Sequence, residues 1–283
     1  MKPPVLAYAA PTSVAEACVL LAADEDAKVL AGGQSLLPLL ALRLAAPTTL
    51  VDIGRVPGLR GIEAEGDHLR IGALTTHADI ETSELVALKA PMLSLAAGLI
   101  AHPQIRARGT MAGAIAHADP AAEWPAVLLA LGGSVEVAGP AGTRVVPADG
   151  FFVGPFMTVL EPDDIITALH VPLAPRGWWF GEHARRAGDY GLSIAALSCD
   201  LSTGVMRDVR IVVAGATGTV SRATAAEELL DGTEPGAATD RAVAAATQEL
   251  TFSADIHGSA GYRKTLTTNL LRRGLRELAE RTG

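Results

Sequence analysis

A chain of 283 residues, 49% of them hydrophobic, is long enough for one large domain or two to three small ones, and its composition is that of a globular protein, not a disordered one. Its 31 acidic against 23 basic side chains leave a formal charge of −8, which argues against nucleic acid or an anionic membrane as partner. No apolar run reaches the length of a bilayer span, and Met1-Lys2-Pro3-Pro4 opens without the apolar stretch of a signal peptide, so no membrane insertion and a cytoplasmic location are expected.

The first unit, residues 1–55, alternates helix and strand. Thr12 or Ser13 is predicted to cap a helix through about Ala23, with Glu16 near its start. Lys28–Ala31 reads as a strand that runs into Gly32-Gly33, Leu36–Leu44 as a short helix ending before Pro47, and Leu50–Ile53 as a second strand. In the second unit, 56–172, a strand is predicted at His68–Leu74, with Thr75 or Thr76 capping the next helix. A helix at Pro91–Ala101 leads into a long polar, glycine-containing loop that ends at Pro120. Helix resumes at Ala121–Leu131; Ser134–Ala138 and Thr143–Val146 form a hairpin, and Ile165–Val171 is a further strand.

The third unit, 173–283, follows a Pro/Gly-rich linker at Pro172–Gly177. Gly191–Leu201 and Met206–Ala214 read as long strands joined by a turn at Ser202–Gly204. Helices are predicted at Arg222–Leu230, Ala237–Leu250 and Ser259–Glu280; in the last, Leu266, Leu270, Leu271, Leu275 and Leu278 make a stripe suited to burial. Strands followed by helices give this end an α+β character.

Two stretches carry chemistry. Val29–Leu37 reads VLAGGQSLL: a strand enters, two glycines turn the chain, and Gln34 and Ser35 lead into a helix. Such a corner is either an ordinary tight turn or a place where peptide N–H groups and the Ser35 hydroxyl hold a phosphate. It is neither a P-loop nor a GxGxxG fingerprint, because the lysine and the spacing are missing. His102–Pro120 reads HPQIRARGTMAGAIAHADP. There Thr110 offers a hydroxyl and Gly113 an unhindered peptide N–H, which suits a second phosphate clamp. Arg106 and Arg108 either reach a phosphate or brace the loop through carbonyls and carboxylates. His102, His117, Asp119 and Glu123 match no metal-ligand spacing, and no nucleophile–base set has a recognisable context. Cys18 and Cys199 cannot alone supply the usual four ligands of an iron–sulfur cluster, so they read as small buried hydrophobes and any redox centre as an organic cofactor.

AGGQS at 31–35, followed at 106–131 by RxRGTxxGxIAHADPAxExPAxLLAL, resembles the flavin-binding medium subunit of molybdenum hydroxylases, a family that includes carbon monoxide dehydrogenase and the flavin domain of xanthine dehydrogenase. GALTTHADI at 72–80, FFVGPFMTVLEPDDII at 151–166, ARRAGDYGLSIAA at 184–196 and GYRKTLTTNLLRRGL at 261–275 continue the resemblance in order along almost the whole chain. It implies an α+β fold of the FAD-binding type found in p-cresol methylhydroxylase and vanillyl-alcohol oxidase. Two N-terminal lobes would hold FAD and a C-terminal α+β domain would cover the flavin. Leu30, Ala31, Gly32, Gly33, Gln34, Ser35 and Leu36 would bind the cofactor, with Ala31–Ser35 around its pyrophosphate. Thr110 and Gly113 would form the second clamp, with Ala114 beside them. Glu123 would lie near the nucleotide end, Ile165 or Ile166 would pack on the cofactor, and Tyr190 would shield the flavin ring while Asp189 fixes its turn.

The resemblance further implies a large subunit with a molybdenum–pterin cofactor, a small subunit with two [2Fe-2S] clusters, and an external electron acceptor. No acid, base or nucleophile would be required from this chain. Two departures stand out. Where relatives read TIGGN, one glycine is Ala112 and the polar residue is Ala114. Losing one charge-assisted hydrogen bond to phosphate costs about 1.5–3 kcal/mol, roughly ten- to a hundredfold in affinity. A lysine that some relatives carry before the RRxxD segment is also missing, since that region reads Gly181-Glu182-His183. Two other readings stay open: a free-standing flavin oxidoreductase, for which a C-terminal part of about 110 residues leaves little room, and a flavin-free scaffold subunit, favoured by Ala112 and Ala114.

Overall fold

Ser13 starts the first helix as its chemistry dictates. Its Oγ accepts the Glu16 N–H at 3.1 Å, while Glu16 Oε2 accepts the Thr12 N–H at 2.8 Å. In the computed structural model, which describes residues 2–173 and 177–281, this cap opens a small parallel α/β unit. Strand β1 (Ala7–Ala9), helix α1 (Val14–Ala22), strand β2 (Lys28–Leu30), helix α2 (Leu36–Leu42) and strand β3 (Thr49–Asp52) form a sheet ordered β1-β3-β2. Lys28 and Ala7 flank β3 in parallel register, opposite Leu50 and Thr49. β1 has no legible strand signature in the sequence: three residues, Ala-Tyr-Ala, hold a strand only because β3 supplies the ladder.

The middle of the chain builds a five-stranded antiparallel sheet. Its elements are β4 (Ile62–Glu65), β5 (His68–Gly72), α3 (His77–Thr82), α4 (Glu84–Lys89), α5 (Pro91–Leu99), α6 (Pro103–Arg106), α7 (Met111–His117), α8 (Glu123–Ala130), β6 (Ser134–Gly139), β7 (Gly142–Pro147), β8 (Phe152–Gly154), β9 (Met157–Thr158) and β10 (Ile165–Pro172). The sheet runs β4-β5-β10-β6-β7. Leu69, Ile71, Val135, Val137, Leu169 and Val171 face a core shared with Met92, Leu93 and Trp124. The alternate positions His68, Arg70, Glu136 and His170 are only part-buried. This period-two alternation is what a sheet covered on one side requires.

The long loop expected before Pro120 is instead largely helical. Thr110 caps α7 through its Oγ1, and Met111, Ala112 and Ile115 turn one face of that helix into the core. The embedded glycine hides the helix from a reading by propensity, because a glycine interior costs about 1 kcal/mol that core burial here outweighs. All eight residues of α8 are buried, with α5 and α7 on one side and the third sheet on the other.

That third sheet contains β11 (Gly177–His183), β12 (Ser193–Asp200), β13 (Arg207–Ala214) and β14 (Ser221–Arg222), all antiparallel and in chain order. Of the predicted linker Pro172–Gly177, residues 174–176 lie outside the described residues, and its ends belong to β10 and β11. Helices α9 (Thr224–Leu230), α10 (Thr239–Glu249) and α11 (Ala260–Glu280) pack beside the sheet. The predicted stripe of α11 holds for Leu271, Leu275 and Leu278, whereas Leu266 and Leu270 are half-buried. The first half of α11 is anchored by polar groups instead. Arg263 donates to the carbonyls of Leu192 (3.0 Å) and Gly215 and pairs with Asp255, and Thr267 shares a hydrogen bond with Ser193. Two hydrogen bonds also seat this sheet on α8 and the turn before it: Ser198 Oγ of β12 donates to Ala130 O at 2.6 Å and the Gly215 N–H to Pro120 O at 2.7 Å. Among the described residues no helix is long and apolar enough to cross a membrane.

Gly274 brings α11 onto Trp179, since a Cβ there would stand 2.7 Å from the indole. Gly274→Ala gains helix propensity of up to about 1 kcal/mol but overpacks the contact by about 1–3 kcal/mol. Net loss is expected, seen as a fall in Tm of roughly 2–8 °C; an unchanged or higher Tm would show that the contact gives way freely.

Candidate functional site

β2 delivers the chain into the corner Ala31–Ser35. Gly33 adopts a left-handed conformation (φ 74°), and its carbonyl accepts the Leu37 N–H at 3.0 Å to start α2. Gln34 Nε2 donates back to Gly32 O at 3.1 Å, which closes the corner on itself. Ser35 stands at the head of α2 without a side-chain capping bond, so its hydroxyl is not committed to the helix.

The second segment meets this corner directly. A Cβ on Gly32 would lie 2.8 Å from Gly109 Cα and closer still to the Arg108 carbonyl. On its other side Gly109 accepts the His77 N–H at 2.9 Å, and Thr76 and Thr110 form an antiparallel bridge. The two segments thereby become walls of one cavity of about 530 Å³, whose remaining lining includes His77, His117, Phe156, Met157, Ile165 and Ile166. Asp164 holds the wall that carries Ile165 and Ile166: it accepts from Arg144 Nη1 and from the Glu161 N–H, both at 2.8 Å.

Of the residues predicted from sequence, Leu30, Ala31, Gly32, Gly33, Gln34, Ser35, Leu36, Thr110, Gly113, Ala114 and Ile166 all line this cavity. One detail of the second clamp differs from expectation, and Arg106 takes the bracing alternative of the two open to it. The Gly113 N–H is not free: it donates to Thr110 Oγ1 at 3.0 Å, so what that pair turns outward is the Thr110 O–H. Arg106 braces the segment, donating to Glu81 and to the carbonyls of Ile100 and Ala101. Glu123 and Tyr190 do not line the cavity. Tyr190 is 59% exposed on the segment between β11 and β12. Glu123 is 5% exposed, at the first turn of α8. Burial, then the nearby Glu182, pushes its carboxyl from the ordinary 4.5 up to about 8. Glu182 is itself pushed up to about 7 by burial.

His77 is one of several cavity residues that sequence reasoning missed, with Phe156 and Met157 among the others. Trp124 donates its indole N–H to His77 Nδ1 at 2.9 Å, which leaves the ring proton on Nε2. Burial, and secondarily Arg106, lowers its pKa to about 4, so the ring is neutral. It reads in sequence as one histidine after a helix cap, and only the fold brings Trp124 and Gly109 to it. Chemically the cavity combines an uncommitted hydroxyl, a glycine corner and apolar walls, with no nucleophile–base pair. Such a lining suits the binding of an elongated ligand with both polar and apolar parts.

Comparison with known proteins agrees in extent and detail. The family described as FAD binding domain in molybdopterin dehydrogenase matches residues 4–174, and the one described as CO dehydrogenase flavoprotein C-terminal domain matches 178–278. The chain is 49% identical over 285 residues to the nicotine 6-hydroxylase medium subunit of Paenarthrobacter nicotinovorans, covering 100% of both. A solved structure of carbon monoxide dehydrogenase from Hydrogenophaga pseudoflava superposes with a TM-score of 0.95 at 40% identity, covering 100% of this chain and 99% of that one. Quinoline 2-oxidoreductase from Pseudomonas putida 86 superposes at 0.93 with 37% identity, again over 100% and 99%.

An acid whose pKa is raised by folding loses stability for the fold as pH climbs, because the unfolded chain releases its proton first. For Glu123 that window runs from 4.5 to about 8. Glu123→Gln should therefore raise Tm relative to the parent protein more at the alkaline end of the window than at the acid end. An equal difference at both ends would mean that the carboxyl ionises at its ordinary pH.

Proposed function

The chain belongs to the FAD-binding medium subunits of molybdenum hydroxylases, the carbon monoxide dehydrogenase and xanthine dehydrogenase family, and from that premise we propose that it is the electron-transfer subunit of such a complex. It is an oxidoreductase subunit whose cofactor is FAD. In this reading electrons arrive from the [2Fe-2S] clusters of a small subunit, a large subunit with the molybdenum cofactor carries out the substrate chemistry, and an external acceptor takes the electrons away. When bound, FAD supplies a centre that takes electrons singly or in pairs and so joins one-electron clusters to other acceptors. The observation that carries the proposal is the meeting of the two glycine-bearing segments at Gly32 and Gly109 around one cavity.

The residues present fit that cofactor. A side chain at Gly32 would fill the space where the two segments touch, and Gly33 needs a backbone conformation that other residues adopt only under strain. Ala31 to Ser35 would hold the diphosphate through main-chain amides and the Ser35 hydroxyl, with Leu30 and Leu36 flanking them, and Thr110 would offer its hydroxyl from the opposite wall. Gly113 and Ala114 shape that wall, Ala114 contributing a methyl where a polar group would donate. Ile166 packs against the cofactor. His77 holds Gly109 in place through its backbone N–H. Tyr190 limits solvent access, and Glu123, a buried carboxyl at the first turn of α8 close to Glu182, lies toward the nucleotide end. In this division residues 1–55 and 56–172 are the cofactor-holding lobes and 173–283 the covering domain. The buried thiols Cys18 and Cys199, both unpaired, fit a reducing cytoplasm.

Two measurements test the proposal. Gly32→Val should leave the circular dichroism spectrum intact and cut the FAD retained after purification by at least about tenfold, the scale of one lost charge-assisted contact; normal flavin content would remove the first segment from the site. The tagged chain, recovered from its native host, should bring down two further chains with molybdenum and about four irons per flavin, the content of two [2Fe-2S] clusters. A flavoprotein recovered alone that oxidises an organic compound by itself would overturn the electron-transfer role.

A further inference from the structure

We propose that Glu65, His68 and His170 form a divalent transition-metal site on the outer face of the five-stranded sheet, away from the cofactor cavity. The register of three neighbouring strands puts them together. Glu65 is paired with His68 across the β4–β5 hairpin, and His170 on β10 is opposite Arg70, one diagonal step from His68. Each of the three offers a ligand atom within 4.8 Å of the other two. The two imidazole centroids are 5.0 Å apart.

The hydrogen bonds around the cluster favour a cation at its centre. Asp67 lies 3.2 Å from His68 Nδ1, which fixes a proton on that nitrogen and turns the Nε2 lone pair toward Glu65. Nε2 and Glu65 Oε2 then face each other at 3.7 Å, two acceptors beyond hydrogen-bond range. On the other side Glu136 approaches His170 Nε2 at 3.3 Å and is itself held by Thr167 Oγ1 at 2.5 Å and Arg70 at 3.2 Å. Both imidazoles thus have a carboxylate behind them, the arrangement that orients histidine ligands and raises their basicity.

Two imidazoles and one carboxylate select zinc, or copper or nickel, over calcium and magnesium, which require oxygen ligands. Ligand atoms around a tetrahedral zinc ion stand about 3.3 Å apart, so part-buried and exposed side chains need only small rotations to close on it. Glu65 is exposed, so water completes the coordination. Placed across three neighbouring strands, the ion acts as a clip that fastens the edge hairpin β4–β5 to β10.

The proposal is independent of the electron-transfer reading, and flavin content separates the two. Chelator-treated flavoprotein titrated with Zn²⁺ in a calorimeter should bind one ion per chain. His68→Ala and His170→Ala should each weaken binding at least tenfold, and Glu65→Gln less, all with normal flavin content, which also reports that the variants fold. No binding up to millimolar Zn²⁺, or equal binding by a His68→Ala/His170→Ala double variant, would overturn it.

Discussion

The backbone-to-backbone contact between Gly32 and the Arg108–Gly109 peptide is the constraint on which the rest depends. It joins a parallel α/β unit to a structure built on an antiparallel sheet, and it is possible only because Gly32 carries no β-carbon, while the bare Cα of Gly109 makes room for the His77 ring on its other side. The contact is locked from behind. His77 receives the indole N–H of Trp124 on its ring and donates its own backbone N–H to Gly109, so a fully buried helix fixes the buried side of the corner through one histidine. That imidazole must stay neutral for the arrangement to hold, which the surrounding apolar core ensures.

Much of this is legible in the sequence, for identifiable reasons. Gly-Gly between an apolar strand and an apolar helix announces a tight corner, and Thr110 followed by Gly113 marks a second one. Other parts are not local properties. β1 exists only as a partner of β3, and β4 shows a single part-buried apolar residue on an exposed edge. Helix α7 hides behind its glycine. The Gly113 amide looks available until the Thr110 hydroxyl is seen to accept it. In α11 the leucine spacing forecasts the C-terminal half, whereas the N-terminal half is buried through an arginine and a threonine whose partners lie about 50 to 75 residues away.

Ala112 and Ala114 take different meanings once placed. Ala112 is buried in the helix-facing core, where a methyl group replaces nothing polar. Both nevertheless line the cavity, Ala112 as the more deeply buried of the two and Ala114 as the more open one. At the first corner, by contrast, Ser35 has a hydroxyl uncommitted to its own helix.

Helix α8 serves two cores at once. Its far end takes hydrogen bonds from Ser198 and Arg210, and the turn before it takes one from Gly215. Swinging the C-terminal domain aside as a hinged door would break these buried bonds together, at about 1–3 kcal/mol each. Any change of access to the cavity therefore falls to side chains and short segments along its walls, because the buried helix ties both halves of the chain into one stiff piece.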